Sequence, residues 1–124
     1  MRMQESAEMY LETILVLSEG GASVRAIDVA RKLGFSRPSV SNALKELTRD
    51  GYIGYKDSKY IELTQKGMEI AEKIYARHLV LTNLLLAVGV SDEIAREDAC
   101  RVEHYISDET FEALKRLDVE RMKE

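Results

Sequence analysis

Cysteine, proline and tryptophan are nearly missing from this sequence: one Cys, one Pro and no Trp in 124 residues, with only two His. A single Cys cannot close an internal disulfide, so a reducing compartment, the cytoplasm, is expected. No apolar run approaches the roughly 20 residues needed to cross a bilayer. The N-terminus has no signal-peptide pattern, so no membrane partner is expected. There is no repeat, low-complexity run or flexible linker. The length suits one domain, or one with a small extension, with a real core. No hydrolase or dinucleotide signature is present, which argues against an enzyme.

What is there is charge, unevenly spread. The chain carries a net −4, which at face value argues against an anionic partner. Between Arg25 and Lys59, however, eight Lys or Arg (Arg25, Arg31, Lys32, Arg37, Lys45, Arg49, Lys56, Lys59) face four acids (Asp28, Glu46, Asp50, Asp57). Residues 1–24 carry one base against four acids, and residues 60–124 nine bases against fourteen acids. A basic segment between two acidic ones implies one surface for an anion and another for something cationic.

Hydrophobic periodicity gives the elements. Residues 4–18, QESAEMYLETILVLS, place Met9, Leu11, Ile14, Leu15 and Leu17 at three- and four-residue steps, predicting a helix ended by Gly20-Gly21. SVRAIDVARKLG predicts a second helix, with Ser23 as candidate cap and Gly34 as its left-handed close. A third starts at Ser36, has Pro38 in its first turn and buries Val40, Leu44 and Leu47. YIGY and YIEL, joined by KDSK, change the period and predict a hairpin. A long helix then runs from a cap at Thr64 to Gly89, with Ile70, Ile74, His78, Leu81 and Leu85 on its stripe. SDEIAREDACRVEHYIS predicts a fifth helix over residues 91–107, and DETFEALKRL a final short one.

That order, a helix, two short helices about a tight glycine turn and a hairpin, is a winged helix-turn-helix over residues 1–63. The helices of residues 64–124 carry more apolar face than a lone surface tolerates, so they are expected to form a homodimer. In a helix-turn-helix the second helix enters the major groove of double-stranded DNA by its N-terminal residues. Here those are Ser36, Arg37, Pro38, Ser39, Ser41 and Asn42, with Lys45 further on. Hydroxyls and helix-end amides suit phosphate oxygens. Asn42 suits adenine, Arg37 guanine or phosphate, and the Pro38 ring a thymine methyl. Arg25 adds to the basic surface, and Lys56 and Lys59 at the hairpin tip are placed to follow the backbone.

The acidic remainder holds the Cys and both His. Cys100, Glu103 and His104 stand at i, i+3 and i+4, one face of a helix. Met9 and Glu12 share a face of the first helix, and His78 lies on the stripe of the long one. Singly, each has an ordinary reading: core histidine, inert buried Cys, Met as core filler, surface carboxylates. Together, three helices offer inward sulfur, imidazole and carboxylate. Burying two carboxylates and a thiolate without a cation would be very unfavourable, and a divalent ion resolves it. Ligands shared between helices would couple helix position to metal occupancy.

The segments EMYLETI, SRPSVSNALKELTRDGYI, LTQKGMEIAEKI, RHLVLTNLL and EDACRVEHYISDE resemble the metal-dependent transcriptional repressors of the diphtheria-toxin-repressor and manganese-transport-regulator family. The resemblance runs from about Met9 to about Leu117. It implies a mainly α chain, a winged helix-turn-helix DNA-binding domain followed at residue 64 by a helical metal-binding and dimerisation domain. The function it implies is repression: a homodimer that binds operators of metal-uptake genes when Fe(II) or Mn(II) is plentiful. Met9, Cys100, Glu103 and His104 match the primary site of the iron-responsive branch, whereas Glu12 and His78 match ligands of the neighbouring manganese-branch site. The set is a hybrid. Thr82 and Arg96 stand where iron-type relatives often hold second-site ligands, which argues against an ancillary site of that kind. The chain ends before the SH3-like domain of the iron regulators, so a short form is expected.

A thioether and a thiolate favour softer ions than Mn(II). Fe(II) is therefore expected as co-repressor and Mn(II) second, with Co(II), Ni(II) and Zn(II) able to bind in vitro. Metal would tie the first helix to those bearing His78 and Cys100, setting the two recognition helices about 34 Å apart. The alternative is a winged-helix regulator that senses a non-metal ligand or oxidation of Cys100, from which a chelator would not release DNA.

Overall fold

The computed structural model describes residues 3–123, backbone only at Met3, and divides within its fourth helix into two units, residues 1–72 and 73–124. The ends of the expected domains, residues 1, 2 and 124, lie outside the described residues.

In the first unit, α1 (Met3–Leu17) buries Leu11 and Ile14 of the expected stripe and also Tyr10, which was not on it, while Met9, Leu15 and Leu17 are only partly buried against them. Around them lie Val24, Val29 and Ala30, then Val40, Leu44 and Leu47, then Ile53 and Ile61, and finally Ala71, in one apolar core. Helix α2 (Ala26–Leu33) starts later than Ser23 suggested. Arg25 is its N-cap residue, and the Asp28 carboxylate accepts the Arg25 backbone N–H at 2.9 Å, so the first turn is closed from inside the helix. Gly34 ends it at φ 71°, a left-handed position only glycine takes without strain.

Helix α3 (Arg37–Arg49) has its expected cap: the Ser39 N–H donates to Ser36 Oγ at 3.3 Å. Val40, Leu44 and Leu47 are its buried face. Strands β1 (Ile53–Lys56) and β2 (Tyr60–Leu63) pair antiparallel, with Ile53 opposite Leu63 and Lys56 opposite Tyr60. Asp57 and Ser58 turn the three-residue hairpin loop at φ 53° and 62°, and the Lys59 N–H donates to Lys56 C=O at 3.3 Å. Ile61 N–H donates to Val24 C=O at 2.8 Å, fastening the hairpin to the segment before α2.

Helix α4 (Gln65–Ala87) begins against the end of α3. Thr64 N–H donates to Tyr52 C=O at 3.1 Å and Thr64 Oγ1 to Gly51 C=O at 2.7 Å. Thr64 Oγ1 also accepts the Gly67 N–H at 3.2 Å, the cap its position predicted. Lys66 donates to Asp50 C=O at 2.9 Å and lies over the Tyr52 ring. Gly67 is required here: a Cβ on it would fall 2.0 Å from the Tyr52 carbonyl oxygen.

The second unit holds the remainder of α4, then α5 (Asp92–Val102) and α6 (Asp108–Met122). Ile74 and Leu81 of α4, Ala95 and Ala99 of α5 and Phe111 of α6 are buried. Two expectations are corrected. Helix α5 stops at Val102 rather than running through Ser107. Ser107 instead caps α6, accepting the Thr110 N–H at 3.1 Å, so the chain must turn between residues 103 and 107. Helix α6 also runs five residues past Leu117, to Met122. No helix among the described residues is long and apolar enough to cross a membrane.

Candidate metal centre and nucleic-acid interface

His78 projects from the middle of α4, Cys100 from the last turn of α5, and Glu103 from the residue that caps α5. Their candidate ligand atoms all lie within 4.8 Å of one another. His78 Nδ1 is 3.1 Å from Glu103 Oε2 and 3.6 Å from Cys100 Sγ. His104 Nε2 is 3.5 Å from Glu103 Oε1. The Glu103 side chain is wholly buried, and those of His104 and His78 are 5% and 16% exposed. Cys100 is exposed. A thiol and two imidazoles thus gather around one buried carboxylate.

The grouping differs from a single helical face. Cys100 lies on α5, but Glu103 and His104 belong to the turn beyond it. Glu103 still takes helical angles, and its N–H donates to Ala99 C=O at 3.0 Å, so its side chain keeps the direction the i, i+3 spacing gave it. Met9 and Glu12 stand on α1 in the first unit, both half-buried, with Met9 packed on that unit's apolar core. The described geometry therefore gathers His78, Cys100, Glu103 and His104 within the second unit.

One residue that sequence reasoning passed over sits beside this cluster. Arg77 is buried, and its Nη1 donates to the C=O of Glu103 at 3.1 Å and of Ile106 at 2.7 Å. Its Nη2 donates to Asp108 Oδ1 at 2.5 Å, and the guanidinium lies over the Phe111 ring. Lys73 also reaches Asp108, at 3.1 Å. Lys73 first and Arg77 second hold the Asp108 carboxyl below its usual range. A signal was present: Arg77 falls three residues after Ile74 and four before Leu81, on the buried stripe of α4, where a charged side chain needs a partner.

On the first unit, Arg25, Ser36, Arg37, Pro38, Ser39, Ser41, Asn42 and Lys45 are all exposed, as are Lys56 and Lys59 of the hairpin. The Ser36 hydroxyl donates to Ser39 Oγ at 3.0 Å, so these two serines close the helix end on each other. Behind them the Tyr10 and Phe35 rings meet at 6.2 Å in a shallow groove that Ser36, Ser39 and Asn42 also line. Burial pushes the Tyr10 hydroxyl up from its ordinary pKa.

The family model "Iron dependent repressor, N-terminal DNA binding domain" matches residues 2–61, and "Iron dependent repressor, metal binding and dimerisation domain" matches residues 64–118. The transcriptional regulator MntR of Escherichia coli O6:H1 is 38% identical over 112 residues, covering 90% of this chain and 72% of its own. The iron-dependent repressor IdeR of Mycobacterium bovis is 32% identical over 114 residues, covering 91% of this chain and 50% of its own. Among solved structures, the manganese regulator SloR matches with a TM-score of 0.80 at 28% identity, over 90% of this chain and 52% of SloR. The chain thus spans about half the length of IdeR and SloR.

Proposed function

The chain belongs to the iron-dependent repressor family, whose members are transcriptional repressors rather than enzymes, and from that premise we propose that it represses metal-uptake genes as a homodimer on operator DNA when a divalent metal is bound. The observation that carries the reading is the convergence of His78, Cys100 and Glu103 within 4.8 Å. That donor set fits a divalent transition ion: thiolate and imidazole suit Fe, Co, Ni or Zn, and the buried carboxylate adds the anionic charge such an ion attracts. His78, Cys100, Glu103 and His104 would hold it, joined by Met9 and Glu12 of α1. When bound, the ion supplies positive charge that offsets the acid and the thiolate and ties their segments together.

The protein's own residues do the rest. Residues 1–63 form the DNA-binding domain and residues 64–124 the metal-binding and dimerisation domain in this proposal, in keeping with the ranges the two family models match. Arg37, Pro38 and Asn42 read base edges. Arg25, Ser36, Ser39, Ser41, Lys45, Lys56 and Lys59 hold phosphates, and their exposure supports that assignment. The site of action is the cytoplasm.

Fe(II) is the co-repressor we favour, because Cys100 Sγ belongs to the cluster and a soft donor disfavours Mn(II). Mn(II) is the second reading, supported by the 38% identity to MntR. The test is operator binding by protein purified without air, with chelator and then with Fe(II) or Mn(II) restored. Release of DNA by chelator and recovery with Fe(II) are expected. Binding indifferent to chelator would overturn the metal requirement, and recovery with Mn(II) alone would overturn the choice of iron.

A further inference from the structure

Arg77 and His78 are neighbours on α4, yet both grip the same residue. His78 meets the Glu103 carboxylate at 3.1 Å, while Arg77 holds the Glu103 carbonyl at 3.1 Å from behind. The Arg77 fork also captures Ile106 C=O and the Asp108 carboxylate, so one guanidinium binds both ends of the turn that carries Glu103 and His104. We propose that Arg77 is a positioning residue for metal capture: it orders the 103–107 turn before any ion arrives, so that Glu103 and His104 are already presented to His78 and Cys100. The inference rests on the metal-binding reading above and adds to it a residue that touches no ion.

The physical case has three parts. The carbonyl of a helix-capping residue lacks an intrahelical donor, and a cation at that end also meets the negative pole of the helix. Arg77 answers both needs at the end of α5. Second, a planar fork with several N–H groups satisfies three acceptors in fixed directions, which a lysine ammonium on a flexible stem cannot reproduce. Third, the grip is protected: Arg77 is buried, its ring contact with Phe111 holds the guanidinium plane, and Asp108 balances its charge. Ligands whose backbone is already fixed bind without the entropy loss of ordering a turn.

The experiment uses Co(II) as the probe, because thiolate charge transfer reports Cys100 and the ligand-field band reports the coordination of the ion. Wild type, Arg77→Lys and Arg77→Met are compared under conditions where far-UV circular dichroism shows each folded. Both variants should bind Co(II) about 10- to 100-fold more weakly, the usual cost of losing a supporting partner. They should retain the thiolate band and show an altered ligand-field band. Hydrogen exchange on metal-free protein gives a second readout. The Glu103 and Tyr105 amides, bonded to Ala99 and Val102 carbonyls, should be protected in wild type and exchange faster in the variants. Should Arg77→Met not fold, Arg77→Lys and wild-type exchange decide. Co(II) binding by Arg77→Lys within twofold of wild type, or wild-type amides that gain protection only on adding metal, would overturn the positioning role. A wild type that binds no Co(II) would instead overturn the metal reading beneath it.

Discussion

His78 and Glu103, 25 residues apart in the chain, meet at 3.1 Å between ring Nδ1 and carboxylate Oε2, and the acid is wholly buried. A carboxylate taken out of water needs compensating charge or hydrogen bonds. Glu103→Gln removes that charge at nearly constant shape. Metal-free Glu103→Gln should therefore fold as well as wild type, yet gain nothing from metal. Ligand linkage stabilises a native state by about 2.7 kcal/mol at one hundred times Kd. The measurement is the thermal midpoint with and without Co(II): a rise for wild type and none for Glu103→Gln. An equal rise in both would remove Glu103 from the ligand set.

Cys100 tests the soft half of the site. Its side chain is exposed, so Cys100→Ser should shift stability by no more than about 0.5 kcal/mol. Its effect belongs to the metal: loss of the thiolate charge-transfer band with Co(II), and a preference moved toward Mn(II) as an oxygen donor replaces sulfur. Competition between Fe(II) and Mn(II) for each protein measures this. An unchanged preference would show that Cys100 lies outside the coordination sphere.

Much of this was legible from residue order alone. The α3 boundaries follow from Ser36, Pro38 and Gly51, local signals that act within one turn. The hairpin follows from its change of period. The meeting of His78 with Glu103 was also foreseeable, since both lay on inward faces of predicted helices, whereas Cys100, expected to be buried with them, reaches the cluster from an exposed position. The end of α5 was not. Residues 91–107 keep a helical pattern throughout, and the break is imposed by the Ser107 cap of α6 and by Arg77 drawing the Glu103 and Ile106 carbonyls to itself. Tertiary bonds 26 and 29 residues away leave no mark on local periodicity. The α2 start was missed for a smaller reason: Ser23 is a better capping type than Arg25, but Asp28 reaches back to the Arg25 amide and fixes the start there.

Gly67 joins the long helix to the DNA-binding unit without a side chain. Its added Cβ would lie 2.0 Å from the Tyr52 carbonyl oxygen, so Gly67→Ala must push α4 off the α3–β1 turn or strain the backbone. Overpacking of this kind typically costs about 1–3 kcal/mol. The urea midpoint should fall with the slope unchanged. A Gly67→Ala protein as stable as wild type, as Ala's better helix propensity alone would suggest, would show that the contact relaxes freely.

Asp108 sets an acid limit. Lys73, then Arg77, keeps its carboxyl below the ordinary value of 3.8. The unfolded chain therefore takes up this proton at higher pH than the native one, and stability rises with pH across that interval. The contribution is complete above the unfolded value and is lost as pH falls through the lower native one. Asp108→Asn should flatten this acid limb and leave the neutral-to-alkaline profile unchanged in shape. Denaturation midpoints across the acid range decide it, and two parallel curves would remove Asp108 from the account.

The residues proposed to contact DNA separate by role. Asn42 is exposed in the second turn of α3, where a side-chain amide can pair bidentately with an adenine edge, whereas Lys56 ends β1 beside the hairpin turn, where its ammonium suits a phosphate oxygen. Asn42→Ala should cost about 1–3 kcal/mol of operator binding and relax specificity at one position. Lys56→Ala should weaken operator and random DNA alike and lower the salt slope by about one counterion. Titrations of both variants on both DNAs, at several salt concentrations and with metal saturating, test the division. If Lys56→Ala spared random DNA while weakening the operator, the hairpin would be reading bases, and the assignment of the wing to the backbone would be wrong.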